Sequence, residues 1–295
     1  MVERIINLYN KKGPQGSFRK KMIYAFSKTL HITKEFIKSK FFYVFRRLLP
    51  DTTHNDLYSF MGKYGITSHL YPYIFEYKNL PLTCIWDEQA NMHYIIYENK
   101  RLYYPAVYEK EYIINYHKSL LIELDDRSPH QYVRNRERLQ GKNLLDIGAA
   151  EGIFTLNNID VVNHSYLFEC DELWIKALNQ TFAPWKNKIT IVPKYVSDKE
   201  DENCITIDTF LKDKERKNLF LKMDIEGNEL SALNGATNIF QEEKDIDYSI
   251  CVYHKKNDAV EINDFLINFG LKSEFTEGYL YMNRELRKGI IRKVD

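Results

Sequence analysis

Residues 144–152 read L-L-D-I-G-A-A-E-G, and this run constrains the fold more than any other in the chain. Leu144 and Leu145 form an apolar pair of the kind that ends a buried strand, Asp146 follows, and Gly148 and Gly152 bracket two alanines. Glycine permits positive φ and close approach to the backbone, while alanine keeps the floor of a turn open. A strand running into such a turn begins an α/β unit whose loop can hold a ligand along the backbone. The same spacing occurs in plain strand-to-helix turns, so on its own it leaves the structural and binding readings equally open.

The downstream segments favour binding. A second apolar strand over 165–168 ends at Glu169, about 20 residues beyond the glycine loop, where an acid commonly meets ribose hydroxyls. Residues 219–227 read L-F-L-K-M-D-I-E-G, and a period of two predicts Lys222, Asp224 and Glu226 on one side of a strand. Charges in so apolar a context are costly unless they meet a ligand, a metal or one another. Residues 249–254, S-I-C-V-Y-H, bring Tyr253 and His254 to a further strand end. Open α/β sheets bind ligands at the carboxyl ends of their strands, so these residues are expected to converge.

From about Asn143 onward the chain resembles the FkbM family of S-adenosylmethionine-dependent methyltransferases. The family's D-x-G-A-x-x-G loop is met by Asp146 to Gly152, its F-E-P turn by Phe168, Glu169 and Cys170, and its T-I-D-x-F element by Thr206 to Phe210. Its K-x-D-x-E-G-x-E segment is met by Lys222 to Glu229; a subgroup's Y-H-K end and S-P-H-x-Y element look like Tyr253 to Lys255 and Ser128 to Tyr132. Cys170 replaces the usual proline, and Glu151 enlarges a loop position.

The resemblance implies a Rossmann-like class I methyltransferase fold, an α/β fold with a mostly parallel sheet closed by an antiparallel hairpin. It also implies S-adenosylmethionine as cofactor, with Asp146 and Gly148 at the methionine end and Glu169 at the ribose. Ala149, Glu151, Gly152, Cys170 and Ser197 complete the expected cofactor set; Val196 and Asp198 flank Ser197 near the adenine. An alcohol acceptor needs a base close to its oxygen. His254 is the preferred candidate, since an imidazole of ordinary pKa, about 6.5, is largely neutral at cellular pH. Asp224 and Glu226 orient it or act themselves, or hold Mg²⁺ if the reaction uses a metal. His130 is a second candidate base or binds the acceptor, Tyr253 is expected to bind the acceptor, and Lys222 either neutralises the carboxylates or meets an anionic part of the acceptor such as a phosphate.

Three regions are expected: a basic amphipathic helical segment (1–50), an α+β accessory region with an antiparallel meander and a helix (51–137), and the methyltransferase domain (138–295). Between residues 11 and 47 the only acid is Glu35, and apolar residues recur at spacings of three and four. Such helices either lie on an anionic membrane or a partner, or cap the site with solvated basic faces. Short strands are predicted over 82–87, 92–98 and 101–104 and a helix over 109–123. Tyr94, Tyr97, Tyr103 and Tyr104 are either a platform for sugar rings or the core face of the meander. Helices are expected over 172–182, 228–240 and 259–268, then a terminal hairpin pairing 271–275 with 279–282.

A net charge of +1 predicts no nucleic-acid partner. Four cysteines without C-x-x-C spacing speak against zinc or disulfides and fit a reducing cytoplasm. Neither a signal peptide nor the roughly 20-residue apolar run of a membrane span is read in the sequence, which places the protein in the cytoplasm or at the inner membrane face. The leading expectation is O-methylation of a sugar hydroxyl, in a nucleotide-activated sugar or a surface polysaccharide. Its rivals are methylation of a non-sugar small molecule and a non-catalytic, cofactor-binding subunit of a glycan-assembly complex. A nicotinamide-dependent enzyme is disfavoured because Ala150 stands where G-x-G-x-x-G needs glycine.

Overall fold

A computed structural model of the chain describes residues 53–243 and 245–294. The basic stretch 11–47, with its expected helices, lies outside the described residues. The chain divides into two compact units, residues 1–71 and 72–295. Within the first, helix α1 (Asn55–Tyr64) buries Leu57, Phe60 and Met61 at helical spacing. The expected boundary near Arg138 falls inside the second unit.

The second unit begins with α2 (Ile74–Lys78) and the antiparallel meander β1 (Cys84–Asp87), β2 (Met92–Tyr97) and β3 (Lys100–Tyr104), followed by α3 (Lys110–Glu123). Strand alternation gives the meander two buried faces. Cys84, Ile95, Leu102 and Tyr104 share a core with Ile113 and Leu120 of α3, while Tyr94 and Tyr103 pack around Ala177. Tyr94, Tyr103 and Tyr104 are therefore core residues, which corrects the sugar-platform alternative.

The α/β part continues as β4 (Asn143–Ile147), α4 (Ile153–Asn158), β5 (His164–Phe168), α5 (Glu172–Thr181), β6 (Ile189–Val192) and the short parallel pair β7 (Tyr195–Val196) and β8 (Cys204–Ile205). Then come α6 (Ile207–Phe210), β9 (Leu219–Met223), α7 (Glu229–Asn234), α8 (Thr237–Glu242), β10 (Asp247–Cys251) and α9 (Asp258–Asn268). The chain closes with β11 (Ser273–Phe275), β12 (Leu280–Met282), β13 (Glu285–Arg287) and β14 (Ile290–Lys293). Seven strands form one sheet in the order β11-β14-β10-β9-β4-β5-β6. The pairs from β10 to β6 are parallel; β14 runs antiparallel to both β10 and β11. This is the Rossmann-like class I methyltransferase fold that the resemblance implied.

Both sheet faces are buried, as parallel sheets require. Leu145 and Ile147 of β4 join Leu219, Leu221 and Met223 of β9 in one core. Leu144 and Phe220 enter the other, against α3, α4 and the meander. Two expectations change. The terminal hairpin pairs β12 with β13, while β11 reaches across to β14, because the sheet edge offers β11 a longer buried partner. The helix expected over 228–240 is broken between Asn234 and Thr237: Gly235 lies so close to Ser197 that a Cβ would stand 2.2 Å from its carbonyl oxygen. The T-I-D-x-F element is structural. Thr206 caps α6, and Asp208 accepts the backbone N–H groups of Asn238 and Ile239 in the first turn of α8. Among the described residues, no helix is long and apolar enough to cross a membrane.

Leu221 is fully buried at the centre of β9. Leu221→Ala is expected to cost about 2 to 5 kcal/mol in urea unfolding; a loss below about 1 kcal/mol would contradict its central place.

Candidate active site

β4 lies between β5 and β9, so the connections leave it in opposite directions and a crevice opens at its carboxyl end. Gly148 has φ +80°, and a Cβ there would stand 1.9 Å from the Asp224 carbonyl oxygen. Only glycine lets the β4 loop lie this close to the end of β9. On the other side, the Gly148 and Ala149 N–H groups donate to the Phe168 carbonyl at 3.1 and 3.0 Å. A cavity of about 770 Å³ occupies the crevice, within the size range of small-molecule sites.

Of the expected cofactor residues, Gly148, Ala149, Glu151, Glu169, Cys170 and Ser197 line this cavity. Glu169 is held in place by the backbone: Oε2 accepts from Ala150 at 2.9 Å, and Oε1 from Cys170 and Asp171 at 2.8 Å each. Two expectations are corrected. Asp146 is fully buried and does not reach the cavity; its carboxylate pairs with Lys222 Nζ at 3.0 Å and accepts the Thr155 hydroxyl at 2.6 Å. Gly152 is the N-cap of α4, outside the cavity lining, and its missing Cβ accommodates Leu178 and Phe182.

The Asp146–Lys222 pair follows from register, since the two residues are directly opposed in the parallel β4–β9 ladder. Lys222 Nζ also donates to the Gly148 carbonyl at 2.6 Å. Burial opposes the ammonium charge, but the carboxylates of Asp146 and Asp224 outweigh it and hold its pKa above that of an ordinary lysine. Lys222 touches the cavity wall with its charge already spent, so of its two expected roles it neutralises carboxylates and does not meet a phosphate. Lys222, Asp224 and Glu226 do not share a side: β9 ends at Met223, Glu226 has φ +56° and its side chain is 93% exposed.

At the β9 and β10 ends, Asp224 is the centre of a polar cluster. Tyr132 donates its hydroxyl to Asp224 Oδ2 at 2.7 Å, His130 Nε2 lies 3.6 Å from the same oxygen, and the Tyr253 hydroxyl is 3.1 Å from His130 Nε2. Burial works against the Asp224 charge, but His130, Lys222 and His254 overcome it and hold the carboxyl far below the usual range. These partners favour the ionised carboxylate, which suits Asp224 to orienting an imidazole. His130, Tyr132, Asp224 and Tyr253 all line the cavity.

His254 is not a cavity residue. Its Nδ1 lies 2.9 Å from Glu229 Oε1, and its Nε2 3.4 Å from Asp224 Oδ1. Burial alone would discourage its charge, yet the carboxylates of Glu229, Asp224 and Glu226 raise its pKa. Behind the cavity wall and between two carboxylates, it does not present an imidazole to the cavity, as the expected base would have to. Glu229 also accepts the Ile225 and Gly227 N–H groups, tying the loop after β9 to α7.

Among the described residues, two groups of side chains come close enough to share a cation, His130 with Asp224 and Cys251, and Asp224 with Glu229 and His254. Neither suits Mg²⁺, which prefers several oxygen ligands and bound water. Asp224 is already engaged by Tyr132, and the other donors include imidazole and a thiol. Glu226 stands at the exposed rim of the cavity, with its Oε2 3.6 Å from His254 Nε2.

The sequence reading missed several site residues. Tyr132 and Glu229 were visible only as the last letters of the S-P-H-x-Y and K-x-D-x-E-G-x-E elements. Tyr116 and Glu123 of α3 line the cavity but read as ordinary positions on an amphipathic helix.

A Methyltransferase FkbM domain model matches residues 121–281, more than half of the chain. The chain belongs to the FkbM methyltransferase family. Among solved structures it is similar to an FkbM methyltransferase from Methylobacillus flagellatus KT, with 18% identity over 62% of this chain and 52% of that one and a TM-score of 0.42. The chain therefore spans about half the length of that protein. It is also similar to precorrin-6y C5,15-methyltransferase from Geobacter metallireducens GS-15, at 11% identity, 53% and 81% coverage and a TM-score of 0.38. A third is a putative methyltransferase from Streptococcus mutans solved with SAH, at 12% identity, 54% and 95% coverage and a TM-score of 0.35. A search of curated proteins gave no match.

Lys222→Met is expected to destabilise this FkbM domain by about 3 to 5 kcal/mol, because Asp146 is left as an unpaired buried charge. Adding Asp146→Asn should restore most of the loss in urea unfolding. Equal costs for the single and double variants would show that the pair is not coupled.

Proposed function

We propose that this chain transfers the methyl group of S-adenosylmethionine to a hydroxyl oxygen of a sugar, in a surface polysaccharide or a nucleotide-activated sugar. The observation that carries this reading is the His130–Asp224–Tyr253 cluster, which opens into the same cavity as the glycine loop and Glu169. Glu169 suits ribose hydroxyls, and Val196, Ser197 and Cys170 border the space beyond it. The cofactor's sulfonium supplies an already electrophilic methyl group, so the protein's tasks are alignment, exclusion of water and removal of one proton.

His130 takes that proton. Asp224 stabilises the imidazolium that results, and Tyr132 holds Asp224 in orientation through its hydroxyl. Tyr253, hydrogen-bonded to His130, offers the acceptor a donor or acceptor partner. Hydroxyls and imidazole surrounding one carboxylate match the alternating donors and acceptors of a sugar ring. Any phosphate of a nucleotide-activated acceptor must be held elsewhere than at Lys222. The basic residues between 11 and 47 suit an acceptor assembled at an anionic membrane surface.

Methyl-labelled S-adenosylmethionine with a panel of neutral glycans and nucleotide sugars tests the proposal directly. Label in a sugar methyl ether is expected, unaffected by EDTA. Asp224→Asn and His130→Gln should each lower kcat by about 100-fold or more while S-adenosylhomocysteine affinity stays within about threefold. Full activity in both variants would remove the proposed base, and label confined to carbon or nitrogen would remove O-methylation.

A further inference from the structure

Glu151 is a carboxylate that the proposed chemistry does not use. It is 5% exposed, lines the cavity and accepts the Tyr116 hydroxyl at Oε2 at 2.9 Å. No ion pair joins it to a lysine or arginine among the described residues. The nearby cation, Lys222, is committed to Asp146 and the Gly148 carbonyl. A buried carboxylate that faces a ligand cavity and is held only by neutral donors, here the Tyr116 hydroxyl and its own backbone N–H, has no ion-pair partner of its own. Asp146, the acid that the resemblance places at the methionine end, is not available to a ligand cation, because its oxygens serve Lys222 and Thr155.

Sheet order decides which ligand group Glu151 meets. From β10 to β6, the strand ends present Tyr253, then Asp224, then the β4 loop with Glu151, then Glu169, and beyond β6 Val196 and Ser197. With ribose at Glu169 and the acceptor at Asp224 and Tyr253, the segment between them holds the amino-acid end of the cofactor. We propose that Glu151, backed by Tyr116, is the counter-ion for the α-ammonium group of bound S-adenosylmethionine. This deepens the cofactor assignment and rests on it.

The subsite makes cofactor binding depend on pH. Burial raises the Glu151 pKa to about 7; the Tyr116 hydroxyl and the Lys222 charge lower it, and Glu123 on α3 raises it. Tyr104 of β3 also lies within electrostatic reach and remains neutral, as its own pKa is raised further by burial. Only the ionised carboxylate pairs with an ammonium, so affinity rises as pH increases through 7.

The test is calorimetric titration of the full chain with S-adenosylhomocysteine and with its desamino analogue, which lacks only the α-amino group. The wild type should prefer the natural ligand by about tenfold or more, the value of a charge-assisted hydrogen bond. Glu151→Gln should reduce that preference to within about threefold while leaving the analogue's affinity nearly unchanged, which also shows that the pocket is intact. Between pH 6 and 7.5 the wild-type affinity for S-adenosylhomocysteine should rise, Glu151→Gln should be flat, and Tyr116→Phe should shift the rise to higher pH. An unchanged preference in Glu151→Gln, or equal loss of both ligands, would overturn the subsite. Binding of neither ligand by the wild type would instead remove the cofactor reading, and the subsite with it.

Discussion

The buried pair between Asp146 and Lys222 is the interaction on which the site depends. It joins opposed residues of β4 and β9 at the strand ends, where alternation turns both side chains toward the α3 side of the sheet. The pair is worth little as a net source of stability, since desolvating two charges offsets most of their attraction. Its consequence is geometric. Lys222 has a spare donor, and that donor holds the Gly148 carbonyl, so one ammonium fixes both the ladder and the loop that leaves it. The close approach of Gly148 to Asp224 completes the junction.

With Lys222 consumed, the cavity is dominated by carboxylates, and their surroundings separate them. Glu169 is held by three backbone N–H groups and presents a fixed acceptor. Asp224 is kept ionised by imidazoles and a lysine. Glu151 is held by the Tyr116 hydroxyl and its own backbone N–H, and burial raises its pKa to about 7. Under the proposed function these differences assign the three acids to separate parts of the ligand and the reaction.

Much of this was legible in the sequence. The strand-loop at Leu144 to Gly152, the acid at Glu169 and the convergence of Asp224 and Tyr253 follow from local pattern and from the rule that open sheets bind at their carboxyl ends. Pairings between distant segments were not legible. Asp146 and Lys222 are far apart in sequence, and only register shows that Asp146 is the carboxylate Lys222 neutralises. His254 looks like an available base until Glu229, a neighbour only through the turn after β9, raises its pKa and draws it behind the wall. The terminal hairpin was misassigned for a similar reason, since the sheet edge competes for β11. Tyrosines of the meander alternate correctly, but alternation cannot tell a sugar platform from a second core face.

The central claim is that the crevice at the end of β4 is the cofactor pocket, and Glu169 is its most rigidly held acid. The most direct test is equilibrium binding of S-adenosylhomocysteine to the wild type and to Glu169→Ala. Micromolar affinity that falls by about tenfold or more in the variant, with unfolding unchanged, is the predicted result. Equal affinity in both proteins would place the ligand elsewhere and contradict the account.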